Sequence, residues 1–260
     1  MKTHCKLCLV VRKNKKGNLD QFVHIGTGNY NEKNSEIYTD ISLFTNKEEI
    51  TSDINSLFNY ITGVSYPKMK NILFSPISLY TEIINLIDNE INNHKKGLPS
   101  GIDIKINSLT DKSIVDKLYE ASDEGVKINL IVRGACSIRC TENITIKSII
   151  GRFLEHSRIY HFVNNDDDKY FISSADLMER NLYYRIELLI PIISKRIKEV
   201  VKNIMNIYLE DSKCFMMNEE GIYKYINTDM KSSQEIFIDY VNESNILTNN
   251  KLFSREKKDE

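Results

Sequence analysis

Apolar and polar positions change rhythm several times along this chain, and each change marks an element. Residues 1–11 alternate and then run apolar through Leu9, Val10 and Val11, too short for a buried helix, which predicts a strand. Side chains two apart on a strand share a face, so His4 and Lys6 project together at its mouth. A second apolar run, Phe22-Val23-His24-Ile25, ends in Gly26-Thr27-Gly28-Asn29, and a polar turn follows. Residues 37–44 read as a strand or extended segment. Thr45 and Asn46 then cap a helix over 47–61, where Ile50, Ile54, Leu57, Phe58 and Ile61 recur at helical spacing until Gly63 stops it. The connector Tyr66-Pro67-Lys68 sets a domain boundary near residue 70.

From there strands and helices alternate. A short strand at 72–74 precedes a helix over 79–94, which carries a stripe of Ile83, Ile84, Leu86, Ile87 and Ile91 and ends in Lys95-Lys96-Gly97. A strand at 102–106, a helix at 111–124 and a buried strand at 126–132 follow. This alternation predicts a parallel α/β sheet, whose ligands gather beyond the C-terminal ends of its strands. Asn107 and Arg133 each stand just past such an end. After a loop at 135–143 come strands at 144–150 and 156–163, an Asn-Asp turn at 164–168, and a strand running into Ser173-Ser174-Ala175-Asp176. A strand at 185–190, a helix at 195–209, a hairpin of 214–217 with 222–226 and a helix at 234–243 complete the pattern. The domains so drawn are 1–70 and 71–250, with a charged tail at 251–260 that is expected to be disordered.

Composition narrows the function. With 260 residues, 41% of them hydrophobic, the chain can bury one large core or two modest ones. Lys plus Arg number 35 against 36 Asp plus Glu, so no global basic field points to nucleic acid and any anion site must be local. No apolar run reaches the ~18 residues of a transmembrane helix, and no apolar signal core follows Met1. The 5 cysteines, an odd number, read as reduced thiols of a cytoplasmic protein. Cys5 and Cys8 fall on opposite strand faces, and Cys136 and Cys140 have a different spacing, so they read as small core residues and no metal ligand is assigned.

The two ends of the chain repeat each other. His4-x-Lys6, an apolar strand, a turn and a second strand lead to Thr27-Gly28-Asn29; His156-x-Arg158 leads the same way to Ser173-Ser174-Ala175-Asp176. Each unit puts a histidine and a cation on one strand face beside small hydroxyl and amide residues. A single H-x-K is common and more often structural, and His24, His94 and His161 read as core, helix-end and strand residues. Repetition in matching order is what makes His4 and His156 candidates. Phosphoryl transfer needs positive charge for the oxygens, close backbone approach and in-line positioning. A histidine is itself a nucleophile when one ring nitrogen is free and the other is held.

The wording then becomes specific. The segments Lys2-Thr3-His4-Cys5-Lys6-Leu7, His24-Ile25-Gly26-Thr27-Gly28-Asn29-Tyr30-Asn31 and Ile37-Tyr38-Thr39-Asp40 resemble bacterial polyphosphate kinases of the histidine-phosphorylating type. So do Leu130-Ile131-Val132-Arg133-Gly134, Gly151-Arg152-Phe153-Leu154-Glu155-His156 and Ser173-Ser174-Ala175-Asp176 with Arg180-Asn181, all in family order. The resemblance implies two phospholipase-D-like α/β domains with mixed sheets, the first truncated at its N-terminus. It implies reversible transfer of the terminal phosphate of ATP to polyphosphate through a phosphohistidine, with ATP, ADP and polyphosphate as partners. His4 matches the phosphorylated histidine, and Tyr38, Arg133 and His156 match residues that contact the nucleotide phosphates. His156 also matches an acid or base toward the leaving phosphate. Strand-face and strand-end geometry add Lys6, Asn29, Asn107 and Arg158 as phosphate contacts.

There are departures. Family members are far longer, and the chain reads as a C-terminal fragment, so a second copy or a complementary N-terminal chain is the protein partner expected. Magnesium is implied as cofactor, but the family's metal-site arginines belong to the segment upstream of the match. The loop 135–143 is short and lacks a proline-glycine run, and Arg158 stands where a phospholipase D has lysine, which favours the kinase. Two other readings remain at this point: a phospholipase-D-like phosphodiesterase, and an inactive remnant that binds polyphosphate or nucleotide.

Overall fold

A computed structural model describes residues 1–243. Its main body is a sheet of 9 strands in the order Tyr223–Tyr225, Phe215–Met217, Ile144–Ser148, Ile128–Val132, Ile102–Ile106, Arg158–Phe162, Lys169–Ser173, Leu188–Pro191 and Leu73–Phe74. Only the three from 102 to 148 run parallel to one another; every other neighbouring pair is antiparallel. The purely parallel sheet suggested by the alternation is therefore a mixed one. A helix intervenes between the first two parallel strands, whereas Arg158–Phe162 with Lys169–Ser173 and Phe215–Met217 with Tyr223–Tyr225 are hairpins that need none.

Strand alternation sorts the side chains to two faces. Ile102, Ile104, Ile106, Ile128, Leu130 and Val132 pack on one face with the helices Leu79–Lys95 and Lys112–Asp123. Asp111 caps the second of these, its carboxylate accepting from the Ile114 N–H at 3.1 Å. On the other face Ile131, Ile159, Tyr170, Ile172 and Ile190 meet the helix Lys195–Glu210 and the N-terminal unit. That unit is a sheet of three strands, Lys6–Lys13, Leu19–Gly26 and Ser42–Thr45, backed by the helix Glu48–Ile61. Burial of its Ile50, Ile54 and Leu57 contributes about 1.5–3 kcal/mol each.

Several sequence expectations change in detail. The opening strand is broken at His4 and Cys5, and the strand expected over 185–190 is broken at Glu187. What read as a polar turn after Asn29 is the helix Glu32–Ile37, started by Asn31, whose side chain accepts from Asn34 N at 3.0 Å. The second helix is not capped by a side chain of Thr45 or Asn46; its N-cap is Lys47, and Thr45 Oγ1 accepts from the Lys47 N–H. Cys8 is exposed, not a core residue, because the outer face of the three-stranded sheet is uncovered. The charged tail from Lys251 lies outside the described residues.

One histidine outside the H-x-cation pairs has a role of its own on the strand Arg158–Phe162. His161 lies between two carboxylates, Nδ1 to Asp103 at 2.8 Å and Nε2 to Asp168 at 2.9 Å, and stacks on Tyr170 at 4.1 Å. Burial alone would lower this imidazole, but the two carboxylates raise it above its ordinary value. A raised folded-state value means stability fully present below the unfolded value of about 6.5 and lost as pH climbs through the folded one. His161→Asn is accordingly expected to cost about 2 kcal/mol at pH 6 and less at pH 9 in urea unfolding. An equal cost at both would show that the ion pairs do not contribute.

Candidate active site

The two breaks in the strands are where the site forms. Lys2–Thr3 pairs in parallel with Arg185–Ile186, and Tyr38–Thr39 pairs in parallel with Leu154–Glu155. In the first joint the Ile186 carbonyl accepts from the N–H groups of His4 and Cys5, at 2.9 and 3.2 Å. In the second the Thr39 carbonyl accepts from His156 and Ser157, at 3.3 and 2.9 Å. The residue after each accepting carbonyl is an acid, Glu187 or Asp40. Each histidine therefore meets a carboxylate carried by the other unit.

The third strands follow the same rule. Lys6 pairs with Gly26 and Gly26 with Ser42; Arg158 pairs with Ser173 and Ser173 with Leu189. Asp40 and Glu187 each lie two residues before that third partner. The repeat seen in the sequence thus has a third strand, and its acid is the part the motif comparison missed.

His4 Nδ1 lies 2.9 Å from both oxygens of Glu187. The Glu187 side chain is 0% exposed and also accepts from Ser174 Oγ and Asn181 Nδ2, both at 2.5 Å, while His4 keeps 22% of its own surface. A carboxylate so fixed demands the proton on Nδ1, which leaves Nε2 as a lone-pair donor that a ligand can reach. Lys6 Nζ stands over the same ring, 3.4 Å from Nδ1 and 3.3 Å from Nε2. Neighbouring Cys5 is no rival nucleophile, since burial and then Glu187 push its thiol up to about 12.

His156 Nδ1 lies 2.7 Å from Asp40 Oδ1, and Asp40 is held in turn by Thr27 Oγ1 at 2.6 Å. Gly28 lets that carboxylate in: a Cβ there would stand 2.4 Å from Asp40 Oδ2. Burial, then Arg158 and Lys6, lower the His156 imidazole against the pull of Asp40, so it is neutral at pH 7. Its Nε2 accepts from Arg158 Nη1 at 3.1 Å, and the Tyr38 ring lies 4.9 Å away. Arg158 also forks onto Asp176, with both bonds at 3.2 Å, and Asp176 accepts from the Asn107 N–H at 2.8 Å. Asn107 Oδ1 accepts from Arg133 Nε at 2.8 Å.

Of the residues singled out in the sequence, His4 and Lys6 belong to one network with Glu187, and His156, Arg158, Asn107 and Arg133 to a second with Tyr38 beside it; the charges of Lys6 and Arg158 act across the two. Asn29 belongs to neither: it is exposed on the turn after Gly28, and no hydrogen bond among the described residues ties its side chain to the others. The charges balance unevenly. Arg158 is neutralised by Asp176, but among the described residues neither Lys6 nor Arg133 has a carboxylate within ion-pair distance. Lys6 is 6% exposed, and burial, followed by Arg158, pulls its ammonium down to about 8. A buried cation without a counter-charge is costly, and an anionic ligand between the histidines supplies one. Among the described residues no three His, Cys, Asp or Glu side chains are grouped to hold a metal.

Comparison with known proteins agrees over nearly the whole length. A family model described as "Polyphosphate kinase C-terminal domain 2" matches residues 72–236, and "Polyphosphate kinase C-terminal domain 1" matches residues 1–67. Polyphosphate kinase from Staphylococcus saprophyticus is 45% identical over 237 residues, covering 88% of this chain and 33% of that protein. The Dictyostelium discoideum polyphosphate kinase is 41% identical over 250 residues, covering 94% of this chain and 24% of that one. The crystal structure of polyphosphate kinase from Porphyromonas gingivalis superimposes with a TM-score of 0.85 at 34% identity, over 93% of this chain and 39% of that one. The chain belongs to the polyphosphate kinase family, and it spans about a third of the length of the curated bacterial relatives it matches.

Proposed function

We propose that this chain carries the phosphoryl-transfer site of a polyphosphate kinase, with His4 as the residue phosphorylated. The observation that carries the reading is the pairing of a held, reachable His4 with the buried, unpaired Lys6 ammonium over its ring. His4 Nε2 attacks the terminal phosphorus of ATP in line. A nitrogen–phosphorus bond forms, the bond to the bridging oxygen breaks, and ADP leaves with the electron pair. The ring becomes cationic, and Glu187 stabilises that charge through Nδ1–H. Lys6, Arg133 and Arg158 take the developing charge on the phosphate oxygens, with Asn107 orienting Arg133 and Tyr38 beside them. A terminal oxygen of polyphosphate then takes the phosphoryl group from Nε2, lengthening that chain by one, and the reverse path makes ATP. His156 serves the leaving phosphate through Nε2, as base in one direction and, once protonated, as acid in the other. Asn29 has no part in this scheme.

The test is phosphate labelling from ATP, run on the chain alone and with the N-terminal two thirds of a relative added. Acid-labile label should appear on His4, at least in the supplemented mixture, and His4→Ala should abolish it. Label of equal intensity in the His4→Ala protein would sink the assignment.

Lys6 adds a pH signature. Its cationic form is lost above about 8, and a bound anion favours that form, so binding takes up a proton in this range. Affinity for inorganic tripolyphosphate should fall by up to about tenfold per pH unit above 8. Lys6→Arg should flatten the dependence. Calorimetry in two buffers of different ionisation enthalpy reads the proton uptake directly, and none at pH 8 would remove Lys6 from the phosphate contacts.

A further inference from the structure

The two carboxylates that hold the histidines are themselves held in the same way. Thr27 Oγ1 accepts from the Ile41 N–H at 3.0 Å and donates to Asp40 at 2.6 Å. Ser174 Oγ accepts from the Leu188 N–H at 3.1 Å and donates to Glu187 at 2.5 Å. The repeat goes one residue further. An asparagine follows each hydroxyl by seven positions and precedes each acid by six, Asn34 on the helix Glu32–Ile37 and Asn181 on the helix Glu179–Tyr183. There the likeness stops. Asn181 Nδ2 donates to Glu187 at 2.5 Å, whereas no hydrogen bond among the described residues ties the Asn34 side chain to Asp40. We propose that Asn181 is a positioning residue which, by holding Glu187, commits His4 to the attack on phosphorus. The inference rests on the phosphate-site reading and names what sets its nucleophile apart from His156.

The amide is aimed at Glu187 at its own expense. Asn181 is 1% exposed, and among the described residues its Oδ1 has no hydrogen-bond partner. A buried acceptor left unpaired costs stability. Turning the amide over gives no relief, because it sets that oxygen against the carboxylate. Nor is the side chain needed for its own turn of helix: the Asn181 N–H donates to the Met178 carbonyl at 2.9 Å, and Leu182, 0% exposed, anchors the turn in the core. An asparagine serving the fold alone would have both of its ends satisfied.

The consequence falls on His4. Ser174 donates to Oε2 of Glu187 and Asn181 to Oε1, and both oxygens face His4 Nδ1. With donors on each oxygen, the carboxylate is fixed as an acceptor and the shared proton stays on Nδ1. The Nε2 lone pair is then free for phosphorus. At His4 the neighbouring cation favours neither ring nitrogen, Lys6 Nζ being 3.4 Å from Nδ1 and 3.3 Å from Nε2. His156 is held differently. Asp40 Oδ1 serves both Thr27 and the imidazole, and the Nε2 of His156 already accepts from Arg158 Nη1 at 3.1 Å. The second donor on the acid is what the nucleophile's unit has and the other lacks.

The experiment uses the full chain, with the N-terminal two thirds of a relative added for labelling from ATP. Asn181→Leu has the same branched shape and removes the amide together with its unpaired oxygen, so the denaturant midpoint should hold or rise. Labelling of His4 should nevertheless fall about 10- to 100-fold, the range for partners that orient a reacting group, while tripolyphosphate affinity stays unchanged. Nitrogen NMR of the chain alone reads the cause. The His4 ring should be a single Nδ1–H tautomer in the unsubstituted protein and a mixture in Asn181→Leu. Asn34→Leu, the matching change in the other unit, should alter none of these. Asn181→Ala, which adds no bulk, gives the same readouts if leucine cannot be seated. A folded variant at Asn181 that labels at the unsubstituted rate, or that keeps one His4 tautomer, overturns the proposal. So does a loss of label that only tracks a fallen midpoint in both variants, since packing alone predicts that. If the unsubstituted mixture puts no label on His4, the phosphate-site reading fails and takes this proposal with it.

Discussion

Glu187→Gln should reduce labelling of His4 by about a thousandfold while leaving the fold in place. In the proposed transfer the carboxylate has a double task, fixing the Nδ1–H tautomer and stabilising the cationic phosphoimidazole that would form. An amide of the same shape keeps the packing but can turn its NH₂ toward Nδ1, which puts the ring proton on Nε2 and removes the nucleophile. The buried setting sharpens the effect, since no water can take the place of the lost acceptor: Glu187 is 0% exposed. Tripolyphosphate binding is the control. Lys6 and Arg133 remain, so affinity for the anion should change by less than about threefold, with the loss in rate and not in binding. Wild-type labelling in the Glu187→Gln protein would show that the carboxylate merely packs against the ring.

The largest effect on stability is expected at Glu155. Its Oε2 takes Lys105 Nζ at 3.0 Å and Thr39 Oγ1 at 2.9 Å, while Oε1 takes Gln234. Burial pushes this carboxyl up, yet Lys105 and the hydrogen bonds hold it below its ordinary value. Lys105, 2% exposed, also donates to Ser157 and lies over the Tyr208 ring at 4.5 Å. Glu155→Ala leaves that ammonium buried and uncompensated, which should cost about 3–5 kcal/mol in denaturant unfolding. Removing both charges, as Lys105→Met with Glu155→Leu, should restore most of the loss. If the double substitution is as unstable as the single one, the cost comes from packing and not from the stranded charge.

Much of this arrangement was legible before any coordinates, and the limits have physical causes. Long elements with a clear period, such as Leu79–Lys95 and Ile102–Ile106, emerge with ends within a residue or two, because burial of one face or two leaves a pattern in the chain. His4, Lys6, His156 and Arg158 were visible because the same offset occurs twice. The carboxylates that hold the two histidines were not, because an acid more than a hundred positions away leaves no local rhythm. In hindsight the signal is Asp40 directly before Ile41 and Glu187 between Ile186 and Leu188, where a solvated acid is out of place. The breaks at His4 and Glu187 were hidden for a different reason. Each segment stays extended while its hydrogen-bonding partner changes, and hydropathy reports extension but not pairing. The short helix Glu32–Ile37 buries no residue at all, so it had no apolar stripe to announce it.

The crossed strand joints carry a meaning for how the molecule matures. While the polypeptide is still collapsing, either half can acquire its own hairpin, but neither can orient its imidazole, because the acid that does so arrives on the other half. Neither histidine is therefore held by its carboxylate until the two halves are docked. On the proposed scheme, a phosphate taken up at His4 would report that both halves have found each other.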